Sequence, residues 1–396
     1  MTSSENKSAK TPATDYSLLA PGPVNLHPEV EKIMGLPMIH HRTPEFDKIL
    51  GRVLSGLRHV FQTQNQVFIH TSTGTGGMES LIVNTLSHGD EVLVIDSGKF
   101  GERFAEIAKA FQLKAHVLKI PWGKACNPND VKSFLEKNPQ TKAVLTQATE
   151  TSTATIHPIQ KLGQIIAKFE NTLFLVDGIT AVGALPLPMD EWHIDGLVAG
   201  SQKAFMLPTG MSFISFSKKA WTKIHTANLP RFYFDIRLEK KANDKGETLF
   251  SSPVSLIRAL DWVLEHIQTK GLQKHQEEVH RFAEMTRAFA LACRLDLYSE
   301  SPSDSVTAIK TPETIDSQKL RQLIEEKYNI TIMGGQDQLK GKIIRIGHMG
   351  YIQDQSMIRL FGCLTKSMHE LDSSLYSEEE QIHIQKQMHR WLQDHP

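Results

Sequence analysis

The sequence predicts an α/β protein whose large domain holds a mainly parallel sheet covered by helices, followed by a small α/β domain. Between residues 46 and 217, short apolar runs alternate with longer segments of helical spacing. The apolar runs are nearly continuous, which is typical of strands buried on both faces. The chain of 396 residues is also long enough for one large domain and one smaller domain.

The alternation can be followed in order along the chain. Helical spacing occurs at 46–61, 77–86, 102–111, 129–138 and 159–169, and strand-like runs occur at 66–72, 89–96, 114–120, 142–147, 172–178, 194–201 and 211–217. Strands that alternate with helices in this way are joined by crossover connections, so we expect a parallel sheet with helices on both faces.

The second half of the chain predicts a different arrangement. Mixed polar sequence over 218–250 predicts a long connecting loop, and a strong helical pattern over 253–271 ends in glycine. After residue 300, strand and helix patterns alternate again. We therefore expect a flexible tail at 1–17, a large domain at 18–270, a small C-terminal domain at 271–376 and a helical extension at 377–396.

Composition excludes several classes of function. The 44 basic and 44 acidic residues cancel, which gives no support for a nucleic-acid or anionic-membrane partner. The three cysteines, Cys126, Cys293 and Cys363, are far apart and form no CxxC pair, so we expect no disulfide framework, no metal site and a reducing, cytoplasmic location. No apolar run approaches the roughly 18–20 residues that cross a bilayer.

Three features at element ends carry candidate chemistry. The glycine- and threonine-rich stretch TSTGTGGME at 71–79 lies between a strand and a helix, where backbone N–H groups favour a phosphate. It lacks the spacing of the dinucleotide fingerprint and of the Walker loop. Asp177 ends one buried strand and Lys203 ends another. Each feature alone has an ordinary explanation: a tight turn, a helix N-cap and an exposed lysine.

Together the three features match the needs of a pyridoxal phosphate site. A desolvated lysine has a lowered pKa and can form a Schiff base with the cofactor aldehyde. A carboxylate can hold the pyridine nitrogen protonated, and the glycine-rich stretch can hold the phosphate. We therefore expect pyridoxal 5'-phosphate as cofactor.

The sequence around the lysine, Gly200–Ser201–Gln202–Lys203–Ala204, resembles the class V aminotransferases, and most of all their alanine–glyoxylate, serine–pyruvate and serine–glyoxylate branch. Further similar stretches, in family order, are LLAPGPVNLHPEV (18–30), HHRTPEF (40–46), STGTGGMES (72–80), ETST (150–153), LVDGITAVGALPLPMDEWHIDGLVAGSQKA (175–204) and IIRIGHMG (343–350). The resemblance implies the type I PLP-dependent transferase fold, a homodimer with shared active sites, and a segment 18–45 that lines the site. It implies ping-pong transfer of an amino group from a small L-amino acid, alanine or serine, to glyoxylate or pyruvate.

The resemblance also implies a role for each matching residue. Lys203 is the expected catalytic residue, the expected cofactor-binding residues are Thr75, Gly76, Gly77, Phe100, Thr151, Ser152, Asp177, Gln202 and Ser251, and the expected substrate-binding residues are Gly22 and Arg345. Thr151 or Ser152 would bind near the ring edge, and Ser251 would reach the phosphate from the partner subunit. Phe100 stands where well-known members carry a tryptophan that stacks on the ring. The guanidinium of Arg345 suits bidentate binding of an α-carboxylate.

Two related functions stay open at this point. A class V lyase such as a cysteine desulfurase uses the same fold but needs a mobile catalytic cysteine, for which Cys126 and Cys363 are the candidates. A phosphonate-directed aminotransferase shares many of the motifs. A non-catalytic protein with this fold predicts loss of Lys203, Asp177 or Arg345, and all three are present. A nicotinamide-dependent oxidoreductase lacks its GxGxxG motif here.

Overall fold

The computed structural model describes residues 16–396, so the expected flexible tail lies almost wholly outside the described residues. The helices are α1 Pro28–Met34, α2 Pro44–Phe61, α3 Gly74–Thr85, α4 Lys99–Ala110, α5 Pro128–Lys137, α6 Ile159–Ile166, α7 Lys218–Ile224, α8 Ile236–Asn243, α9 Val254–Lys270, α10 Leu272–Ala292, α11 Ser317–Tyr328, α12 Asp354–Leu371 and α13 Glu378–Asp394. The strands are β1 Ser17–Leu18, β2 Val67–His70, β3 Glu91–Asp96, β4 Lys114–Lys119, β5 Ala143–Gln147, β6 Thr149–Glu150, β7 Thr155–Ile156, β8 Leu173–Asp177, β9 Gly196–Gly200, β10 Ser212–Phe216, β11 Val306–Lys310, β12 Ile330–Thr331, β13 Met333–Gly334 and β14 Ile343–Gly347.

A seven-stranded sheet forms the centre of the molecule, in the order β2-β10-β9-β8-β5-β3-β4. The pairs from β9 to β4 are parallel, and β10 alone runs antiparallel to its neighbours. Leu93 and Ile95 pack into one hydrophobic cluster, whereas Val92 and Val94 pack into another on the opposite face. Because successive side chains of a strand point to opposite faces, helices must cover both sides of this sheet. The predicted fold class is confirmed.

A third hydrophobic cluster belongs to the C-terminal part of the chain. It joins buried side chains of α10, α11, α12 and α13 to the antiparallel sheet β11-β14-β13. The start of the described chain is tied to this part, because β1 pairs with β12 and Leu19 is buried in the same cluster. The helical extension at 377–396 also packs here, through Ile384 and Met388.

The prediction of a long loop over 218–250 is wrong, because α7 and α8 lie within it. Ser217 and Asp235 cap these helices through their side chains. Each helix is short and buries only two side chains, so neither produces a clear apolar period. The glycine-rich stretch also differs from expectation, because α3 begins at Gly74 and the glycines form its first turn rather than a loop.

Among residues 16–396, no helix combines the length and apolarity needed to cross a membrane.

Candidate active site

The candidate residues meet at the carboxyl-terminal edge of the central sheet. Asp177 is the last residue of β8, Lys203 follows β9, and Glu150 lies just beyond β5. In open α/β sheets, ligands bind at this edge because the parallel strands end there together and the following helices begin there.

Lys203 is buried without an ionic partner. Its side chain is 8% exposed, and Nζ donates a hydrogen bond to the carbonyl oxygen of Pro21 at 2.5 Å. Within residues 16–396 it forms no ion pair. Burial lowers the pKa of Lys203 to about 8; the charge of Asp177 opposes this shift, and that of Arg345 adds to it. A lysine in this state is a competent nucleophile near neutral pH.

Gly22 explains how the start of the chain approaches this lysine. Its φ of +127° lies in the region that favours glycine. A Cβ at this position would overlap Nζ of Lys203. The backbone at 21–22 therefore forms a wall directly against the amine, and any side chain at residue 22 would displace it.

Asp177 lies buried beside the lysine. One carboxylate oxygen accepts a hydrogen bond from the backbone N–H of Ile179 at 2.9 Å. Burial raises the pKa of Asp177 to about 6, and the positive charges of Lys203 and Arg103 oppose that rise. A carboxyl group in this setting gains stability from a positively charged hydrogen-bond donor placed against it.

The first turn of α3 offers unused backbone donors. Its N-cap residue, Thr73, makes no side-chain capping bond. The N–H of Gly77 already donates to the Thr73 carbonyl at 3.2 Å, which leaves the N–H groups of Gly74, Thr75 and Gly76 as the orphan donors of the turn. An uncapped helix N-terminus of this kind favours an anion.

Gly77 also allows α3 to pack closely against the central sheet. A Cβ there would overlap the side chain of Val198, so glycine allows α3 to lie close to β9. Gln202, expected to face the same anion, is half-buried, and its side-chain oxygen has no hydrogen-bond partner among the described residues.

Glu150 organises the part of the site around Phe100 and Ser152. This fully buried carboxylate accepts bonds from the backbone N–H groups of Phe100 and Gly101, from Gln147 Nε2, and from both the N–H and the hydroxyl of Ser152. It thereby caps α4, whose N-cap glycine has no side chain. Phe100, half-buried in the first turn, is held by this cap.

Thr151 and Ser152 lie in the turn between β6 and β7 but have different partners. The Ser152 hydroxyl donates to Glu150 at 2.5 Å and accepts from the N–H of Lys99. The Thr151 hydroxyl shares a bond with that of Thr180 at 3.1 Å. Because Ser152 is committed to Glu150 and α4, the geometry favours Thr151 as the hydroxyl available to a bound ring.

Arg345 is held in β14 by backbone carbonyls. Its Nε donates to Gly334 at 2.9 Å and its Nη1 to Thr151 at 2.8 Å, and the residue is only 6% exposed. Burial lowers the pKa of Arg345 to about 10, a value at which it remains charged at neutral pH. Three of its five N–H donors are therefore left for a ligand such as a carboxylate.

Ser251 is not brought together with the other residues by contacts within the described chain. It is exposed and lines a small hollow with Thr248 and Tyr233. A role for Ser251 at the site therefore depends on a second subunit.

The burial of the three cysteines disfavours a function as a sulfur-transferring lyase. Cys126, Cys293 and Cys363 are all buried. Burial raises the pKa of Cys126 and Cys293 to about 12 and raises that of Cys363 as well. A nucleophilic cysteine needs the opposite shift and an accessible position.

Glu150 was not predicted as a site residue, although it lies in the stretch ETST that resembles the family. A carboxylate directly after a buried strand is the same signal that identified Asp177. Arg103 was missed as well; it lies three residues after Phe100 and so on the same face of α4.

Comparison with known proteins identifies the family. The family model described as aminotransferase class-V matches residues 26–361. The chain is 37% identical over 358 residues to a protein named soluble hydrogenase, small subunit, from Synechococcus sp., covering 89% of this chain and 93% of the relative. It is 36% identical over 365 residues to L-aspartate–glyoxylate aminotransferase from Paracoccus denitrificans, covering 90% and 92%. The crystal structure of an alanine–glyoxylate aminotransferase from Nostoc sp. matches with a TM-score of 0.87 at 27% identity, covering 93% of this chain and 100% of that one.

Proposed function

The chain belongs to the class V aminotransferases, and we propose that it uses pyridoxal 5'-phosphate to move an amino group from alanine or serine to glyoxylate or pyruvate. The observation that carries this proposal is the buried amine of Lys203, which lacks an ionic partner and lies beside Asp177 and Arg345. A charged lysine buried without an ion pair is costly unless the amine serves a chemical purpose.

The residues present fit this cofactor at three points. The uncapped first turn of α3 suits the phosphate, Asp177 suits a protonated ring nitrogen, and Lys203 suits the aldehyde. When bound, the cofactor supplies an aldehyde that condenses with amino groups and a ring that accepts the electron pair left when a proton leaves the substrate.

The chain's own residues account for the remaining steps. The Lys203 amine would hold the cofactor aldehyde and, when free, would act as the base that takes the proton from the substrate α-carbon. Arg345 binds the α-carboxylate and so fixes which substituent faces Lys203. Pro21 and Gly22 close the pocket around that amine, which limits the room for a large side chain and favours a small donor.

The proposal extends to a homodimer in the cytoplasm. Phe232 is 77% exposed and Met38 is 70% exposed. Tyr233 stacks on Phe250 next to Ser251, with ring centroids 5.2 Å apart. Exposed apolar groups of this kind favour burial by a partner surface. A partner at this face would bring Ser251 toward the second subunit's phosphate site.

A donor screen tests the proposed reaction. Purified holoenzyme is mixed with alanine, serine, aspartate, 2-aminoethylphosphonate or cysteine in turn, and the conversion of the lysine-bound cofactor to its amine form is followed by absorbance. Alanine or serine should convert the cofactor fastest, and glyoxylate or pyruvate should restore it. Conversion by the phosphonate alone, or sulfide release from cysteine, would replace this proposal with one of its rivals.

A further inference from the structure

Arg103 lies within the candidate site, and the roles described so far do not use it. It begins the second turn of α4, three residues after Phe100, and its guanidinium carbon is 4.8 Å from the centre of the Phe100 ring. A cation at this distance over an aromatic face is attracted to it, which restricts the directions that the side chain can take.

The charge of Arg103 is not neutralised by the described chain. Within residues 16–396 it forms no ion pair, and the neighbouring Glu102 is instead paired with Lys99 at 2.6 Å. The polar contact of Arg103 is with Thr75, whose hydroxyl oxygen is 3.4 Å from Nη1.

This contact places a cation at the positive end of a helix. Thr75 belongs to the uncapped first turn of α3, where the helix dipole and the free N–H groups create a positive potential. A guanidinium at that end is unfavourable by itself, because like potentials repel. The arrangement becomes favourable when an anion lies between the N–H groups and Arg103.

The surroundings of Arg103 distinguish the phosphate end of the site from the substrate end. Arg103 acts on the charge of Asp177, whereas Lys203 is influenced by Asp177 and Arg345. The charges that act on Arg345 are those of Glu150 and Arg321. The contact with Thr75 and the influence on Asp177 place Arg103 on the α3 and Asp177 side of the site.

We propose that Arg103 is a phosphate-binding residue, and that its guanidinium and the first turn of α3 together hold the phosphate monoester of the cofactor. Stacking on Phe100 keeps the guanidinium pointed at the phosphate, so the aromatic ring acts both on the cofactor ring and on this side chain. The inference rests on the proposed function, since it concerns the same cofactor.

The test compares cofactors with and without the phosphate. Dissociation constants of pyridoxal phosphate and of pyridoxal are measured for the apo forms of the wild type, Arg103→Met, Arg103→Lys and the surface control Arg294→Met, whose side chain is 77% exposed. Arg103→Met should weaken pyridoxal phosphate binding tenfold or more and leave pyridoxal binding within twofold of the wild type. Arg103→Lys keeps the charge but loses the planar fork, so its affinity for pyridoxal phosphate should lie between those of the wild type and Arg103→Met. Inorganic phosphate should compete with pyridoxal phosphate more strongly in the wild type than in Arg103→Met.

Each outcome decides a separate point. Equal weakening of both ligands in Arg103→Met would show that Arg103 only supports the fold of the site, and unchanged binding of both would show that it does not act there. Either result overturns the inference. If Arg103→Met does not fold, the ratio of the two dissociation constants in Arg103→Lys decides instead, and a ratio equal to that of the wild type overturns it. A wild type that binds neither ligand would overturn the proposed function itself.

Discussion

Burial changes the reactivity of the Lys203 side chain. The backbone carbonyl of Pro21 is its hydrogen-bond acceptor, and no carboxylate neutralises its charge within the described chain. Removing an ammonium from water favours its neutral form, which is the form that attacks an aldehyde. The same burial makes the lysine costly to the fold at any pH where it is charged.

The lowered pKa of Lys203 predicts a pH dependence. The rate at which apo-protein attaches the cofactor covalently should rise with pH and level off above about 8, the pKa of the buried amine. The free energy of unfolding should rise with pH between about 8 and 10.5. In this range the Lys203 amine has lost its proton in the folded protein but keeps it in the unfolded chain. Stopped-flow absorbance measures the rate, and a rate still rising steeply near pH 10 would contradict this account.

Arg345 predicts a substrate effect. Arg345→Lys keeps a positive charge but loses the planar fork, so the concentrations of amino donor and keto acid needed for half-saturation should both rise about 10- to 100-fold, as expected for loss of a charge-assisted hydrogen bond worth about 1.5–3 kcal/mol. Steady-state kinetics measure this change. Arg294→Lys, at an exposed ion pair, is the matched control and should behave as the wild type. A loss of activity with unchanged half-saturation would assign Arg345 another role.

At the scale of elements, the turn between β6 and β7 joins parts of the site that are distant in sequence. Through Glu150 it caps α4, and through the Thr151 carbonyl it holds Arg345. Glu150 is the acceptor in all five of these hydrogen bonds. An ionised carboxylate suits the position because it can only accept. Burial raises the pKa of Glu150, and its hydrogen bonds act against that rise.

Glu150→Gln therefore tests the role of this turn. The amide NH₂ would face donors, which leaves buried groups unpaired and should lower the free energy of unfolding by about 1–3 kcal/mol. It should also loosen Phe100 and so weaken the circular dichroism of the bound cofactor. Chemical denaturation and near-ultraviolet dichroism measure the two effects. Glu136→Gln, at a surface pair with Lys132, should change neither, and indistinguishable behaviour of the two variants would refute the role.

The elements also show which parts of the molecule could be predicted from sequence. The long strands and helices of the large domain have strong periodicity, and the predicted bounds lie within a few residues of those observed. Asp177 could be found because it ends such a strand, and Lys203 because it closely follows one. The two-residue strands and the short helices α7 and α8 could not, because their apolar positions are too few to give a period. The approach of Gly22 to Lys203 depends on tertiary packing between distant segments, which no local pattern encodes.

At the scale of the whole molecule, the homodimer proposed above would account for both the exposed apolar groups and the isolated position of Ser251. If this dimer forms through the face that carries Phe232, Phe232→Asp should place a charge in the interface, shift the protein from dimer to monomer and lower its cofactor affinity, because the proposed contact of Ser251 with the phosphate of the other subunit would be lost. Light scattering with size-exclusion chromatography measures the mass. Leu291→Asp, on α10 and 79% exposed, is the matched control and should remain dimeric. A wild type that is monomeric at all concentrations would exclude the shared site.

The central claim is that Lys203 holds the cofactor covalently, and peptide mapping after borohydride reduction tests it most directly. Reduction of the holoenzyme should leave the mass of one reduced cofactor on the peptide that contains Lys203. Lys203→Ala should carry no such label, whereas Lys119→Ala, at a lysine whose side chain is 70% exposed, should be labelled like the wild type. A label on another lysine, or none on the wild type, would contradict the account.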